Sequence, residues 1–167
     1  RAPGEEFRML TDDMKRIVNE QRLGFVATVS ADGTPNLSPK GTFAVISDNE
    51  IAFMELRSPV TIRNLRANPA VEVNFVDPFV RKGYRFKGKA DFVEAGTPKF
   101  AQLLPSFERY GALGNRSKLI VVIKVAKALP LITPTYDTGA TEPEIRGTWT
   151  KHFRSIQPGG RYVEGEK

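Results

Sequence analysis

The fold is constrained most by a series of short apolar segments of strand type that are joined mainly by tight turns. The candidate strands are 23–30, 35–40, 43–46, 51–56, 70–76, 84–93 and 119–125. Asp32-Gly33 is a favoured hairpin turn, and it joins the first two segments. The segments do not alternate regularly with helices, which argues against a doubly wound sheet. The pattern therefore predicts a mainly β fold: an antiparallel barrel of six to seven strands with short helical additions.

For two predicted strands, the burial of one and the end of the other depend on neighbouring strands. Segment 23–30 is apolar at successive positions, so we expect it to be buried on much of both faces. Residues 129–133 either extend the strand that ends at Val125 or begin a loop.

Four segments with caps or apolar stripes predict short flanking helices. They span 11–21, 59–67, 97–110 and 142–153. Ser58 is a favoured N-cap for the second helix, and Ile62 and Leu65 share its expected inward face. Pro105 is expected to kink or split the third helix, which Gly111 ends.

The length of 167 residues suits one domain with a sizeable core. No internal repeat or linker interrupts the chain, so residues 1–167 are expected to form a single domain. Residues 1–10 read as an N-terminal extension, and 155–167 as a mobile tail. The chain holds no run of about eighteen apolar residues, so no membrane-spanning segment is expected.

The residue inventory excludes several kinds of active site. The chain has no cysteine, which excludes disulfides, thiol catalysis and cysteine-ligated metals. His152 is the only histidine, so a His-rich metal site is excluded and no metal is expected. The sequence also lacks the Gly-x-Ser-x-Gly elbow of many serine hydrolases. The absence of cysteine fits a reducing cytoplasm, which is the expected location.

A formal charge of +6 favours anionic ligands, and a phosphorylated cofactor would satisfy this bias at one site. Nucleic acid is the main alternative, because residues 82–89 interleave aromatic and basic side chains as stacking platforms do. The favoured interpretation of 82–89 is a barrel strand with a solvated basic face. Neither nucleic acid nor a membrane is therefore expected as a partner.

The start of the second helix combines features of a phosphate site. Its free N–H groups, the hydroxyls of Ser58 and Thr61, and the guanidinium groups of Arg57 and Arg63 would converge there. An ordinary capped surface helix with solvated arginines explains the same residues, because capped helix starts are common.

Residues 38–42 are unusual for a core strand. Ser38, Pro39, Lys40, Gly41 and Thr42 pack poorly in a core, and Pro39 interrupts a hydrogen-bond ladder. They would suit a strand that faces a flat ligand, because glycine admits a close approach and lysine supplies a cation. An edge strand with a bulge is the other explanation.

Several motifs, taken in the order in which they occur along the chain, resemble those of a known family, the pyridoxamine 5′-phosphate oxidase-like flavoproteins. The motifs are Phe25-Val26-Ala27-Thr28-Val29-Ser30, Asp32-Gly33-Thr34-Pro35, Ser38-Pro39-Lys40-Gly41, Arg57-Ser58-Pro59, Asn68-Pro69 and Tyr84-Arg85-Phe86-Lys87-Gly88. The resemblance covers about residues 10–125. It implies a split β-barrel, a homodimer with two FMN sites at the subunit interface, and a small-molecule substrate.

The resemblance also implies roles for individual residues. The FMN phosphate would be held by Arg57, Ser58, Thr61, Arg63 and Asn64. The isoalloxazine would be lined by Ser38, Pro39, Lys40, Gly41 and Thr42, with Lys40 as the cation beside it. Lys87 would be a further contact, and Trp149 and Lys151 would close the site from the partner chain. No catalytic side chain is expected, because the flavin carries the hydride chemistry.

The sequence departs from true pyridoxamine phosphate oxidases at two places. Val60 and Thr61 stand where the family has an Arg-Lys pair, and residues 149–154 do not reproduce its C-terminal substrate signature. The implied function is thus an FMN-dependent oxidoreductase with another substrate. A deazaflavin-dependent reductase and a flavin-binding protein without catalysis are the alternatives.

Overall fold

A computed structural model describes residues 9–157, in which seven strands form one antiparallel sheet. The strands are β1 (Gly24–Val29), β2 (Pro35–Lys40), β3 (Phe43–Val45), β4 (Glu50–Glu55), β5 (Ala70–Asp77), β6 (Lys82–Glu94) and β7 (Leu119–Ile132). Their order is β2-β1-β5-β6-β7-β4-β3. The predicted mainly β fold is confirmed. Strand β7 continues to Ile132, so residues 129–132 extend it and do not form a loop.

The sheet is curled, and its two edge strands are consecutive in sequence. Only Gly41 and Thr42 separate β2 from β3, although these strands lie at opposite edges. Phe43 of β3 reaches across the interior, with its ring centroid 4.8 Å from that of Phe75 on β5. A Cβ at Gly24 of β1 would lie 2.5 Å from the Phe43 ring. Glycine at position 24 thus lets an aromatic ring from one edge pack beside the strand next to the other edge.

The helices lie against the curled sheet. They are α1 (Asp12–Gln21), α2 (Pro59–Ala67), α3 (Pro98–Leu103), α4 (Gly111–Gly114) and α5 (Glu142–Ile156). Pro105 splits the predicted third helix as expected, since α3 gives way to a 3₁₀ segment, Leu104–Tyr110. The 3₁₀ segment ends at Tyr110 with Gly111 as its C-cap, as predicted, and the separate short helix α4 begins at Gly111. None of the helices among residues 9–157 is both long and apolar enough to cross a membrane.

The two faces of the sheet bury separate apolar clusters. The inner cluster includes Phe43, Phe53, Phe75 and Phe86, which are all inaccessible to solvent. A smaller cluster on the other face of β4 and β7 is covered by α3 and the 3₁₀ segment, with Phe107 at its centre. These clusters hold the strands that present the polar residues described below.

Strand β1 is buried on one face, and the prediction that it is buried on both is wrong. Gly24, Val26 and Thr28 point inward, whereas Phe25 and Val29 are 40% and 46% exposed. Apolar side chains thus lie on the outer face of this strand.

At the ends of the chain, α5 runs to Ile156, so residues 155 and 156 of the predicted tail are helical. The rest of the predicted tail, 158–167, and residues 1–8 of the predicted extension lie outside the described residues.

A hydrogen bond joins helix α1 to strand β6, and it should make the stability of the fold depend on pH in the acid range. Tyr84 donates to Asp13 Oδ2 at 2.6 Å, and this bond, with help from Arg16, lowers the pKa of Asp13. A lowered carboxyl pKa stabilises the fold above about pH 4 and ceases to do so as the pH falls through it. For Tyr84→Phe we expect the unfolding free energy at pH 7 to fall by about 0.5 kcal/mol, a value kept small by solvent screening.

The measurement is urea unfolding of wild type and Tyr84→Phe between pH 7 and pH 2. The difference between them should shrink towards pH 2. Tyr136→Phe is the control, since Tyr136 donates to the uncharged carbonyl of Val80 at 2.8 Å. The loss of unfolding free energy in Tyr136→Phe should stay constant as the pH falls. An equally constant loss in Tyr84→Phe would contradict the role given to its bond with Asp13.

Candidate functional site

A buried polar network joins α2 to the β1–β2 hairpin. Asn36 Nδ2 donates to Thr28 Oγ1 at 3.2 Å and to Thr61 Oγ1 at 3.3 Å, and Asn64 Nδ2 donates to Thr28 Oγ1 at 3.1 Å. Thr28, Thr61 and Asn64 are at most 3% exposed. Thr61 and Asn64 were predicted to bind phosphate, and in the chain their side chains fix the helix to the hairpin.

Lys40 lies on the same face of β2 as Asn36, at the other end of the strand, with its side chain largely enclosed. The residue is only 9% exposed, and its Nζ donates to Ser38 Oγ at 2.9 Å. Burial lowers the pKa of the Lys40 amine, and the nearby Glu55 carboxylate opposes the shift. The Phe53 ring centroid is 5.8 Å from Nζ. The structure therefore brings Ser38 and Lys40 together on the inner side of β2, which is an edge strand.

The N-cap position of α2 is occupied by contacts to a carboxylate. The backbone N–H and the hydroxyl of Ser58 both donate to Glu55, at the end of β4. Ser58 occupies the predicted N-cap position, but its side chain makes no capping bond to the helix. Glu55 was not predicted as a site residue. Sequence spacing offered one signal for it, because Glu55 is three residues before Ser58 and within reach of its N–H.

The other predicted site residues near α2 differ in whether they are exposed and able to contact a ligand. Arg57 and Arg63 are exposed, as are Pro39 and Gly41. Thr42 is buried, and its hydroxyl donates to the Met54 carbonyl at 2.8 Å. The two arginines are thus free to meet an anionic ligand, whereas the Thr42 hydroxyl proton is already used within the fold.

Lys87 and Trp149 make contacts elsewhere in the chain. Lys87 Nζ lies 3.2 Å from Glu72 Oε2, on the face of β6 opposite to buried Phe86. The Arg81 guanidinium lies 3.4 Å from the centroid of the Trp149 ring, which fastens α5 to the β5–β6 hairpin. These contacts do not join either residue to Lys40. A role for Trp149 and for the exposed Lys151 across a dimer stays a prediction.

The aromatic residues of 82–89 do not form a stacking platform. Phe86 is fully buried in the inner cluster, and Tyr84 is half-buried and bonded to Asp13. Base stacking needs exposed ring faces. The basic face of β6 is therefore a solvated strand face, as the favoured interpretation of the sequence held.

Most of the chain matches a known family. A family model described as pyridoxamine 5′-phosphate oxidase matches residues 10–129. HupZ from Group A Streptococcus has a similar structure, with 31% sequence identity and a TM-score of 0.63. That alignment covers 75% of this chain and 96% of HupZ. Curated protein sequences give no significant match.

More distant structures share the fold. An FMN-binding protein from Syntrophomonas wolfei aligns over 72% of this chain and 84% of its own length, at 16% identity and a TM-score of 0.60. HutZ, the heme storage protein from Vibrio cholerae, aligns over 75% and 95%, at 20% identity and a TM-score of 0.57. Identities this low establish a common fold, and the groups named for these two proteins differ, FMN for one and heme for the other.

Proposed function

Because the chain belongs to the pyridoxamine 5′-phosphate oxidase family, we propose that it is a flavin-dependent oxidoreductase. FMN would bind where α2 meets residues 38–42, and a deazaflavin is the alternative cofactor. The observation that carries the proposal is Lys40, a lysine enclosed beside Ser38 on an edge strand of a family member. A buried cation has no use in core packing and is costly to desolvate, so a ligand-facing role explains it best.

Most of the residues at this candidate site suit a phosphorylated flavin. Arg57 and Arg63 supply exposed cations at α2, and Lys40 supplies an enclosed one. Gly41 presents backbone that a flat ring can approach, because no atom lies within 4 Å of the position of a Cβ there. The Glu55 carboxylate is the member whose charge does not suit a phosphate.

When bound, a flavin supplies hydride transfer through its N5, and the side chains bind and orient it. Lys40 would stabilise negative charge on the ring as it is reduced, and the low exposure of Lys40 strengthens that interaction. Val60 and Thr61 replace the Arg-Lys pair of true pyridoxamine phosphate oxidases. We therefore propose a different small-molecule substrate.

The proposal is tested by the absorbance spectrum of the purified protein, as isolated and after addition of FMN and gel filtration. Flavin bands that remain with the protein support it, and oxidation of a reduced nicotinamide would then establish turnover. Retention of a deazaflavin in place of FMN would select the alternative cofactor. A heme Soret band without flavin retention, or a colourless protein that binds neither flavin, would contradict the proposal.

A homodimer is part of the proposal because the outer face of the β1–β2 hairpin is apolar. Leu37 is 65% exposed, Phe25 is 40% exposed and Val29 is 46% exposed. Ladder pairing places these side chains on one face, since Phe25 lies opposite Pro39 and Ala27 lies opposite Leu37. A second copy of the chain would cover this stripe, as the family resemblance implies.

A glutamate within the stripe should prevent that association. For Leu37→Glu we expect a monomer of 18.6 kDa in light scattering at concentrations where wild type has twice that mass. Leu113→Glu is the matched control, because Leu113 is 42% exposed on α4, away from the stripe. A dimeric Leu37→Glu variant, or a monomeric wild type, would contradict the proposed interface.

A further inference from the structure

The N-cap residue of α2 already bonds to an anion that belongs to the protein. Glu55 accepts hydrogen bonds from the Ser58 N–H and the Ser58 hydroxyl, and it interacts with the charge of Lys40. The amide end of a helix attracts negative charge, and a carboxylate near it satisfies the free N–H groups. The groups that would bind a phosphate at this position are therefore partly occupied by Glu55.

A phosphate that approached this turn would meet a like charge. Ser58 could donate to the phosphate only after its bonds to Glu55 were broken, and Lys40 would then be shared between two anions. Arg57 is exposed beside Ser58 and offsets only part of this repulsion. A ligand without the phosphate, by contrast, would leave the Glu55–Ser58 contacts intact.

We propose that Glu55 is a specificity-determining residue that competes with the cofactor phosphate at α2. This inference rests on the proposed function, because it concerns the same flavin site. Glu55 lowers the advantage that a phosphate gives FMN over riboflavin. The carboxylate thereby selects between ligands with the same ring and different charge.

The test compares the dissociation constants of FMN and riboflavin by fluorescence quenching for wild type and Glu55→Gln. Glutamine keeps an acceptor for the Ser58 N–H and removes the charge. We expect FMN to bind about tenfold more tightly to the variant, a size typical of a removed like-charge contact, and riboflavin to bind equally well to both. Competition of inorganic phosphate with FMN should strengthen in parallel.

Glu94→Gln is the matched control, since Glu94 pairs with Arg66 in the last turn of the same helix at 2.7 Å. It should leave both constants unchanged. Equal FMN affinity for wild type and Glu55→Gln, or weaker FMN binding by the variant, would overturn the inference while leaving the proposed function in place. Absence of FMN and riboflavin binding in both proteins would overturn the inference, and retention of a deazaflavin would then decide the proposed function separately.

Discussion

Gly83→Ala is expected to destabilise the fold strongly, because it adds a methyl group where the paired strand leaves no room for one. A Cβ at Gly83 would lie 1.9 Å from the Phe75 carbonyl oxygen on the paired strand β5. This atom is backbone, so no rotamer change relieves the clash, and β5 and β6 must separate. Overpacking of this kind costs typically 1–3 kcal/mol, and an immovable neighbour places the expected loss at about 3–5 kcal/mol. Urea unfolding followed by circular dichroism measures it.

Gly147→Ala makes the same chemical change and is expected to have the opposite effect on stability. Gly147 lies inside α5, and a Cβ there would meet no atom within 4 Å. Alanine is a better helix former than glycine by about 0.5–1 kcal/mol, so this variant should be slightly more stable than wild type. A Gly83→Ala protein as stable as wild type would mean that β5 and β6 are not paired in the register described.

Arg57→Ala is expected to weaken FMN binding by about 1.5–3 kcal/mol, the worth of a charge-assisted hydrogen bond to phosphate. That range corresponds to a dissociation constant larger by roughly 10- to 150-fold. Arg57 directly precedes Ser58 and is exposed at the start of α2, so its guanidinium is available to a ligand. Fluorescence titration with FMN measures the change, and riboflavin affinity should fall much less.

Arg66→Ala is the control for net charge, because Arg66 lies in the last turn of α2 and pairs with Glu94. It removes the same charge from the same helix and should leave FMN affinity almost unchanged. Equal FMN affinity for Arg57→Ala and wild type would remove Arg57 from the site. A similar loss in both variants would indicate a general electrostatic effect.

The strands and helices were predictable because their signals are local. Gly33 has a φ of 85° in the turn expected from Asp32-Gly33, and Thr11 accepts from the Met14 N–H as an N-cap should. The length of β7 was not predictable in the same way. Its last residues pair with β6, with Leu129 opposite Arg85, and that partner is far away in sequence. Burial of β1 on both faces failed for a related reason, since local hydrophobicity does not show what covers a face.

The candidate site was predictable to the extent that its residues are close in sequence. Ser38 and Lys40 are two positions apart on a strand and so share a face. The Asn64–Thr28 contact joins residues on different elements, so the sequence did not indicate it, and the phosphate role of Asn64 stays a prediction. Ser58 has a high N-cap preference, but its side chain makes no capping bond, because its ψ of 63° lies outside the extended conformation of an N-cap.

The short link between β2 and β3 has a consequence for how the sheet opens. Edge strands normally fray independently, but here Gly41 and Thr42 tether the two edges to each other. Local opening of β2 therefore pulls on β3, and both should exchange their amide hydrogens in one cooperative event. A ligand that rests on residues 38–42 would slow exchange in both strands, including β3 amides that it never touches. Deuterium uptake would thus detect a ligand bound at residues 38–42, even one that absorbs no visible light.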